Sequence, residues 1–555
     1  MSQQATSQYG ILGHFLKWEA TTPDAVFLRQ PVGNTWREYT WQEAGAAARQ
    51  LTARLQEMDL ATGSRVAILS LNCAEWIICD LAIMLGGYVS VPLYANVNAC
   101  TLQEILEHAE AKFLLIGKLK PDDWQQVKFA IPPAIKTLTM AGYDKEGITS
   151  WHNFTAGAKK AATVINHSPD DMLTIIYTSG TTGKPKGVVH TYGTIMKAVE
   201  VAQELAFLNR QGNRFFSYLP LSHAAERGLV EFGAIFSGGS ISFVESLDTF
   251  QANLQAVRPT HFLGVPRIWE KFQMKILEKL PQKRLNLLLR IPLLSFLLRK
   301  KIKKTLGLDK AVVLFTGAAP ISPDLLRWFS RLGLSIQEAY GMSENFNVCA
   351  ITPKNQIRIG SVGKLVDHQE VKIDAQTQEV LQRAEWVMHS YFKEPALTAQ
   401  TIQNAFLHTG DMGKISEDGF LTLTGRVKDI FKTTKGEYIV PIHTEMNFMA
   451  LKEVDQVCMM GIQCPQPFII VVLSEFGKSL DKVTVAEKLR NALELSNSSL
   501  MGYQQVKKVI VVQEEWTNDN NLLTPTLKIK RNAICERYEA RLNHLYYTDE
   551  VVSWE

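Results

Sequence analysis

One stretch limits what this chain can become: Tyr177-Thr178-Ser179-Gly180-Thr181-Thr182-Gly183-Lys184-Pro185-Lys186-Gly187, after the apolar run Leu173-Thr174-Ile175-Ile176. Three glycines and four small hydroxyl side chains follow a strand-like segment. Backbone N–H groups can therefore turn inward around an anion while Ser179, Thr181 and Thr182 add donors and Lys184 and Lys186 add charge. Such a loop is suited to holding a phosphate. It is not a Walker loop, because Lys184 is followed by Pro185, and no helix-opening G-x-G-x-x-G follows the strand. Pro185 disfavours helix at Lys184, so the segment reads as a mobile loop between two strands. Alone, a flexible polar hairpin without a ligand would read the same way.

At 555 residues the chain exceeds one core, and two or three domains are expected. A composition of 46% hydrophobic and 21% charged residues, without a biased tract, argues against fibrous and disordered classes. The net charge of +4 gives no case for nucleic acid as a partner. Cys73, Cys79, Cys100, Cys349, Cys458, Cys464 and Cys535 are scattered and lack C-x-x-C spacing. A reducing cytoplasm is therefore expected, with neither a zinc site nor a disulfide framework. Met1 to Gly10 lacks a basic region followed by an apolar core, so no secretory signal is expected.

The most apolar segment, Leu285 to Leu298, is interrupted by Arg290 and Pro292 and falls short of the ~20 residues that span a bilayer. It runs into Arg299-Lys300-Lys301-Ile302-Lys303-Lys304. Two readings stay open here: a membrane-surface helix, or a core helix with a solvated basic end. The expectation is a cytoplasmic protein, with peripheral attachment to the inner face of a membrane left open.

Thr40 and Glu43 have capping-box spacing before a helix running to about Leu55. Arg65 to Ser70 reads as a buried strand, Asn72 to Trp76 as a helix start, Trp76 to Leu85 as an apolar helix and Val89 to Leu93 as a strand. A helix through Thr101 to Ala109 and a strand at Phe113 to Ile116 follow. This alternation predicts an α/β domain with a mainly parallel sheet.

Further motifs follow. Tyr218-Leu219-Pro220-Leu221-Ser222-His223 reads as a strand ending in a turn with His223 at its tip; a lone histidine is usually structural. Pro259 to Glu270 reads as a strand, a turn at Gly264 that lets a substrate pass close to backbone, and a helix start. Val312 to Pro320 is a buried strand opening into small residues, and Ile336 to Tyr340 leads into Gly341-Met342-Ser343-Glu344. Tyr340 offers a ring to a planar base, Ser343 a hydroxyl to phosphate and Glu344 a hard oxygen to Mg²⁺. Asp411 could take ribose hydroxyls and Arg426 brace the same sugar or the phosphate beside it. Lys528, beyond the turn Thr524-Pro525-Thr526-Leu527, is a flexible cation suited to neutralising negative charge. Any one of these would pass as an ordinary turn or surface charge.

In this order the motifs resemble the adenylate-forming superfamily, which includes acyl-CoA synthetases, luciferases and peptide-synthetase adenylation domains. Leu219-Pro220-Leu221-Ser222-His223 and Thr524-Pro525-Thr526-Leu527-Lys528 look most like long-chain fatty-acyl-CoA synthetases. Ser70 to Trp76 and Val91 to Tyr94 look like scaffold segments of those enzymes, without a site role. The implied fold is α/β: a large N-terminal domain, 1–427, of layered α/β sheets with a β-barrel-like subdomain, and a small mobile α+β C-terminal domain, 428–555. The implied activity is ATP- and Mg²⁺-dependent conversion of a fatty acid, long-chain by the two segments quoted, to an acyl-adenylate and then to its CoA thioester. The implied partners are the small molecules ATP, fatty acid and CoA, with no nucleic acid; oligomeric state, a homodimer included, stays open.

The resemblance also implies roles. Lys528, His223 and Glu344 are catalytic, and Thr178, Ser179, Gly180, Thr181, Thr182, Gly183, Lys184 and Lys186 form the phosphate loop. Gly317, Ala318, Glu338, Tyr340, Gly341, Ser343, Asp411 and Arg426 bind the nucleotide. His223, Gly264, Lys435 and Gly436 border the acyl pocket and CoA path, Lys428 is the hinge, and Thr178 with Glu344 holds the metal. The sequence departs from the family pattern at Ser390, where glycine is usual, at Ile442, where glutamate is expected, and at Tyr192, where histidine is. Two other readings remain: transfer of the adenylate to a carrier-protein phosphopantetheine, and a non-catalytic nucleotide-binding homologue.

Overall fold

The computed structural model describes residues 10–555 apart from 34, 158–160, 180–183, 463, 499, 519 and 525–527. By contact density the chain divides into two units. The first comprises Met1–Glu370, Gln382–Leu407 and Asp418–Phe420; the second comprises Val371–Leu381, His408–Glu417 and Leu421–Glu555.

The early helix forms where its signals lie. Trp41–Glu57 is capped by Thr40, whose hydroxyl accepts from Glu43 N–H while the Glu43 carboxylate accepts from Thr40 N–H. Its buried face, including Trp41, Ala44, Ala48 and Leu51, packs on the wholly buried helix Ala74–Leu85. Arg65–Leu69, Val89–Leu93 and Phe113–Ile116 are parallel neighbours, as the βα alternation predicts. They belong to a 7-stranded sheet ordered Ser390–Tyr391, Pro185–Thr191, Met172–Ser179, Val89–Leu93, Arg65–Leu69, Phe113–Ile116, Lys136–Thr139.

A second sheet of the first unit runs Thr35–Thr40, Val26–Val32, Ser240–Phe243, Arg214–Ser217, His261–Leu263, Val313–Thr316, Gln337–Tyr340, Ala350–Ile351, Gly363–Leu365. From Val26–Val32 to Gln337–Tyr340 each neighbouring pair is parallel. Loops leaving the carboxyl ends of these strands therefore gather along one edge, where open α/β sheets bind ligands.

Four strands that lie mostly in the second unit, Gln369–Ile373, Glu379–Ala384, Phe406–Ile415 and Phe420–Arg426, follow one another in an open run, with no closing strand pair among the described residues. A 4-stranded sheet, Val454–Met460, Phe468–Leu473, Val509–Val512, Val552–Trp554, carries apolar side chains on both faces. Lys482–Asn497 covers one face through Val485, Leu489 and Leu493, and Arg531–Tyr546 covers the other through Ile534, Tyr538 and Leu542. All seven cysteines are free thiols.

Candidate active site

The signature stretch forms an antiparallel hairpin with Tyr177 opposite Gly187, Thr178 opposite Lys186 and Ser179 opposite Pro185. Gly180, Thr181, Thr182 and Gly183, and the side chain of Ser179, lie outside the described residues. Gly187 is demanded by packing: a Cβ there would stand 2.7 Å from Ile175 Cγ2 and 3.1 Å from the Tyr177 ring. Tyr177 O–H is 2.7 Å from His108 Nδ1, and burial lowers the His108 pKa.

Two side chains given no site role from sequence tie this hairpin to Ser343 and Glu344. Buried His190 donates from Nε2 to the Ser343 carbonyl, 2.7 Å away, and burial pushes its pKa down to about 4, so the ring is neutral. Tyr391, paired with Val188 of the hairpin, donates its O–H to Glu344 Oε1 at 2.6 Å. Burial and then the Glu344 charge raise the Tyr391 pKa far above its usual value, so the phenol keeps its proton. Lys186 Nζ lies 5.2 Å from the centre of the same ring. Met388 N–H donates to the Glu344 carbonyl at 2.7 Å. The residues after Glu344 are strained: Phe346 and Asn347 have φ 49° and 60°. A Cβ on Gly341 would lie 2.3 Å from the Asn347 carbonyl carbon, so only glycine fits there.

Four motifs meet at the carboxyl edge of the parallel strands. After Val313–Thr316 comes Gly317, whose added Cβ would be 2.9 Å from the Ala339 carbonyl oxygen, and then Ala318 at φ 66°. Glu338 pairs with Thr316 in the ladder, and burial pushes its carboxyl up to about 8, so it is neutral at pH 7. The buried Tyr340 ends that strand. Gly264 follows His261–Leu263, donating to the Phe315 carbonyl and accepting from Trp269 Nε1; a Cβ would fall 2.8 Å from the Trp269 ring.

His223 departs from expectation. The strand is Arg214–Ser217, and His223 caps the short helix Ala224–Glu226 rather than standing at a strand tip. The ladder stops because Tyr218 N–H is taken by the Glu226 carboxyl and Pro220 has no N–H to offer. His223 Nδ1 accepts from Ala225 N–H at 3.1 Å, which leaves the proton of the neutral ring on Nε2. Asn72, assigned no site role from sequence, grips this turn. Its Nδ2 donates to Ser217 Oγ at 2.7 Å and to the Leu219 carbonyl at 2.6 Å, and its Oδ1 accepts from Leu221 N–H. Glu226 Oε1 accepts from Ser217 O–H and Tyr218 N–H, both at 3.0 Å, and burial raises its pKa to about 8. Beneath the turn, buried Arg227 pairs with Asp80 and Glu231 and donates to Thr174. Desolvation and the nearby Asp80 charge raise the Glu231 pKa well above its usual value, so this carboxyl takes the proton one cation cannot offset.

In the second unit, Asp411 and Arg426 are direct cross-strand partners, with Arg426 Nε 2.8 Å from Asp411 Oδ1. The Asp411 side chain is buried and that of Arg426 is half exposed. Lys428 is exposed in the short helical turn Val427–Asp429. Neighbouring Asp429 lies 3.8 Å from Nε of Arg531, whose guanidinium also pairs with Glu445. Helix Ile442–Met449 thus supplies a carboxylate three residues past Ile442, where the expected glutamate is missing. Lys435 and Gly436 form the exposed tip of the ribbon Phe431–Lys432/Tyr438–Ile439, with Gly436 at φ 85° as the tight turn requires. Lys528 is exposed; its N–H donates to Thr524 Oγ1 and its carbonyl accepts from Thr524 N–H, closing a loop whose middle, 525–527, lies outside the described residues.

The departures have structural substitutes. Tyr192 is buried, stacks on His167 with ring centres 4.0 Å apart and meets its Nε2 at 3.0 Å. Ser390 sits in the short strand that presents Tyr391. Among the described residues no group of three or more His, Cys, Asp or Glu side chains is placed to hold a metal.

Comparison with known proteins agrees with this architecture. Residues 15–389 match the model of the AMP-binding enzyme family, and residues 428–550 match that of the AMP-binding enzyme C-terminal domain. The chain is 27% identical to the long-chain-fatty-acid–CoA ligase FadD15 of Mycobacterium tuberculosis, covering 95% of each chain. It is 28% identical to fatty acyl-CoA synthetase A of Dictyostelium discoideum, over 92% of this chain and 86% of that one. Among solved structures, the anthranilate CoA ligase AuaEII in complex with anthranoyl-AMP superposes with a TM-score of 0.78 at 20% identity, over 98% and 100% of the two chains. The adenylation domain of a carboxylate reductase from Mycobacterium chelonae gives 0.80 at 20% identity, over 97% and 91%. With its matched segment spanning most of its length, the chain belongs to the AMP-binding enzyme family.

Proposed function

We propose that this chain activates a long-chain fatty acid with ATP, forming an acyl-adenylate and pyrophosphate, and then transfers the acyl group to CoA with release of AMP. The observation that carries the reading is the gathering of the His223 turn, Gly264, Gly317–Ala318 and Gly341–Glu344 along one sheet edge, in a chain of this family. The choice of a long-chain acid is supported by relatives named as long-chain-fatty-acid–CoA ligases.

In the first half-reaction a carboxylate oxygen attacks the α-phosphorus in line, a P–O bond forms and pyrophosphate leaves. Catalysis here is positioning and charge neutralisation. The Thr178–Lys186 hairpin with its loop holds the departing phosphates, Ser343 the α-phosphate, and Lys528 offsets the charge of the attack. Gly317, Ala318, Glu338, Tyr340 and Gly341 bound the base slot, and Asp411 with Arg426 takes the ribose. Glu344 and Thr178 offer hard oxygens that suit Mg²⁺, which when bound neutralises phosphate charge. Tyr391 is a positioning residue for Glu344, and Asn72 with Glu226 positions the His223 turn.

In the second half-reaction a thiolate attacks the acyl carbon, a C–S bond forms and AMP leaves. Gly264 and His223 border the acyl path. Lys428 at the start of the 428–555 domain is the pivot that withdraws Lys528 and presents Lys435–Gly436 to the thiol. Each buried methylene contributes about 0.8 kcal/mol, so an apolar acyl site selects by chain length.

The test is a screen of acids from acetate to palmitate with ATP, Mg²⁺ and CoA, following AMP and thioester. The expected result is thioester formation that rises with chain length. A preference for acetate or an aromatic acid, or activation without turnover on free CoA, overturns the substrate or the acceptor named here.

A further inference from the structure

The segment Gln282–Leu306 carries a surface that the reaction does not use. Gln282–Arg290 and Pro292–Leu306 form a helical hairpin broken at Ile291-Pro292. Leu285, Ile302 and Leu306 anchor it in the core, while Trp328 Nε1 donates to Gln282 Oε1 and Arg331 Nη2 to Asn286 Oδ1, each at 2.8 Å. The face turned outward is apolar: Leu293 is 71% and Phe296 64% exposed, with Leu287, Ile291, Leu294 and Leu297 also exposed. Isolated exposed leucines are ordinary, but a contiguous group of this kind on a fixed hairpin marks an interaction surface.

Charge selects the occupant. Between Glu278 and Asp309 the sequence holds nine Lys or Arg and no acid, and of these Lys283, Arg284, Arg290, Arg299, Lys300, Lys301 and Lys304 are exposed. Self-association through a two-fold axis at this face would bring cations against cations. An anionic lipid surface offers hydrocarbon to the leucines and phenylalanine and negative headgroups to the surrounding cations. Among the described residues no helix is long and apolar enough to cross a bilayer, so the contact is interfacial.

We infer that the Gln282–Leu306 hairpin docks the protein on an anionic phospholipid surface, with Leu293, Phe296 and Leu297 entering the headgroup boundary. This holds independently of the acid activated. It is tested by co-sedimentation of the full chain with vesicles of phosphatidylcholine alone or with about 30% phosphatidylglycerol, at about 0.1 M and 0.5 M salt. Binding to anionic vesicles that weakens with salt is expected. Lys300→Glu/Lys301→Glu/Lys304→Glu should lower the partition coefficient on the order of a hundredfold, from about fivefold for each cation lost. Leu293→Ser/Phe296→Ser/Leu297→Ser should abolish binding at both salts while an unchanged melting midpoint shows that the fold is kept. Wild-type binding equal on neutral and anionic vesicles, retention of binding in both variants, or a wild-type oligomer dispersed by the serine variant with no vesicle binding would each overturn the inference.

Discussion

Replacing Tyr391 with Phe removes one oxygen and tests whether Glu344 needs to be held in place. The phenol donates to Glu344 Oε1 at 2.6 Å, Glu344 is 8% exposed and Tyr391 is 3% exposed. A hydrogen bond to a charged group of this kind contributes roughly 1.5–3 kcal/mol, which corresponds to about 10- to 150-fold in an equilibrium. Phenylalanine keeps the ring beneath Lys186 and the backbone pairing with Val188, so the perturbation centres on the carboxylate. The assay is the initial rate of pyrophosphate release against Mg²⁺ at saturating ATP and acid. Tyr391→Phe should raise the half-saturating Mg²⁺ concentration by about 10- to 150-fold, with the melting midpoint falling by only about 1–3 °C. A Mg²⁺ curve superimposable on that of the wild type would refute the reasoning, since Glu344 would then not need this donor.

Lys528→Ala should slow adenylation by a factor on the order of 10² to 10³ while leaving nucleotide affinity nearly unchanged, measured by AMP release and by equilibrium binding; an unaffected adenylation rate contradicts the role given to Lys528. Glu226→Gln probes the buried acid under the His223 turn. Because burial raises the folded pKa to about 8 from 4.5, the native state keeps a proton that the unfolded chain releases, so this group's contribution is full below about pH 4.5 and is lost as pH rises toward 8. Denaturation midpoints at pH 5 and pH 8.5 should therefore show the Gln variant gaining on the wild type with rising pH, and a pH-independent difference would contradict the assignment.

The sequence shows its local devices clearly. Thr40 with Glu43 caps a helix within one turn, and the apolar runs Val89–Leu93 and Phe113–Ile116 are strands at the bounds expected. The Thr178–Lys186 hairpin was legible because proline and glycine punctuate it within a few residues. The side chains that steady the site were not. Asn72 reaches Ser217 across 145 positions and Tyr391 reaches Glu344 across 47, and nothing in an isolated Asn or Tyr signals such a partner. The run Tyr218 to His223 reads as a strand with His223 at its tip, but the acceptor that ends the ladder, Glu226, lies eight positions past Tyr218. Asp411 and Arg426 stood out singly, but their pairing depends on antiparallel register, which composition does not disclose. For the hairpin at Gln282–Leu306 the sequence leaves two readings open, because an apolar run does not disclose which of its side chains are buried; Leu285 and Ile302 are, whereas Leu293 and Phe296 are exposed.

Attack by the acid's own oxygen on the α-phosphorus is tested most directly by isotope transfer. With palmitate labelled with oxygen-18 in both carboxyl positions, ATP, Mg²⁺ and CoA, mass spectrometry of the products should find one labelled oxygen in AMP, none in pyrophosphate and one in the thioester carbonyl. Unlabelled AMP, or label appearing in pyrophosphate or inorganic phosphate, would contradict it.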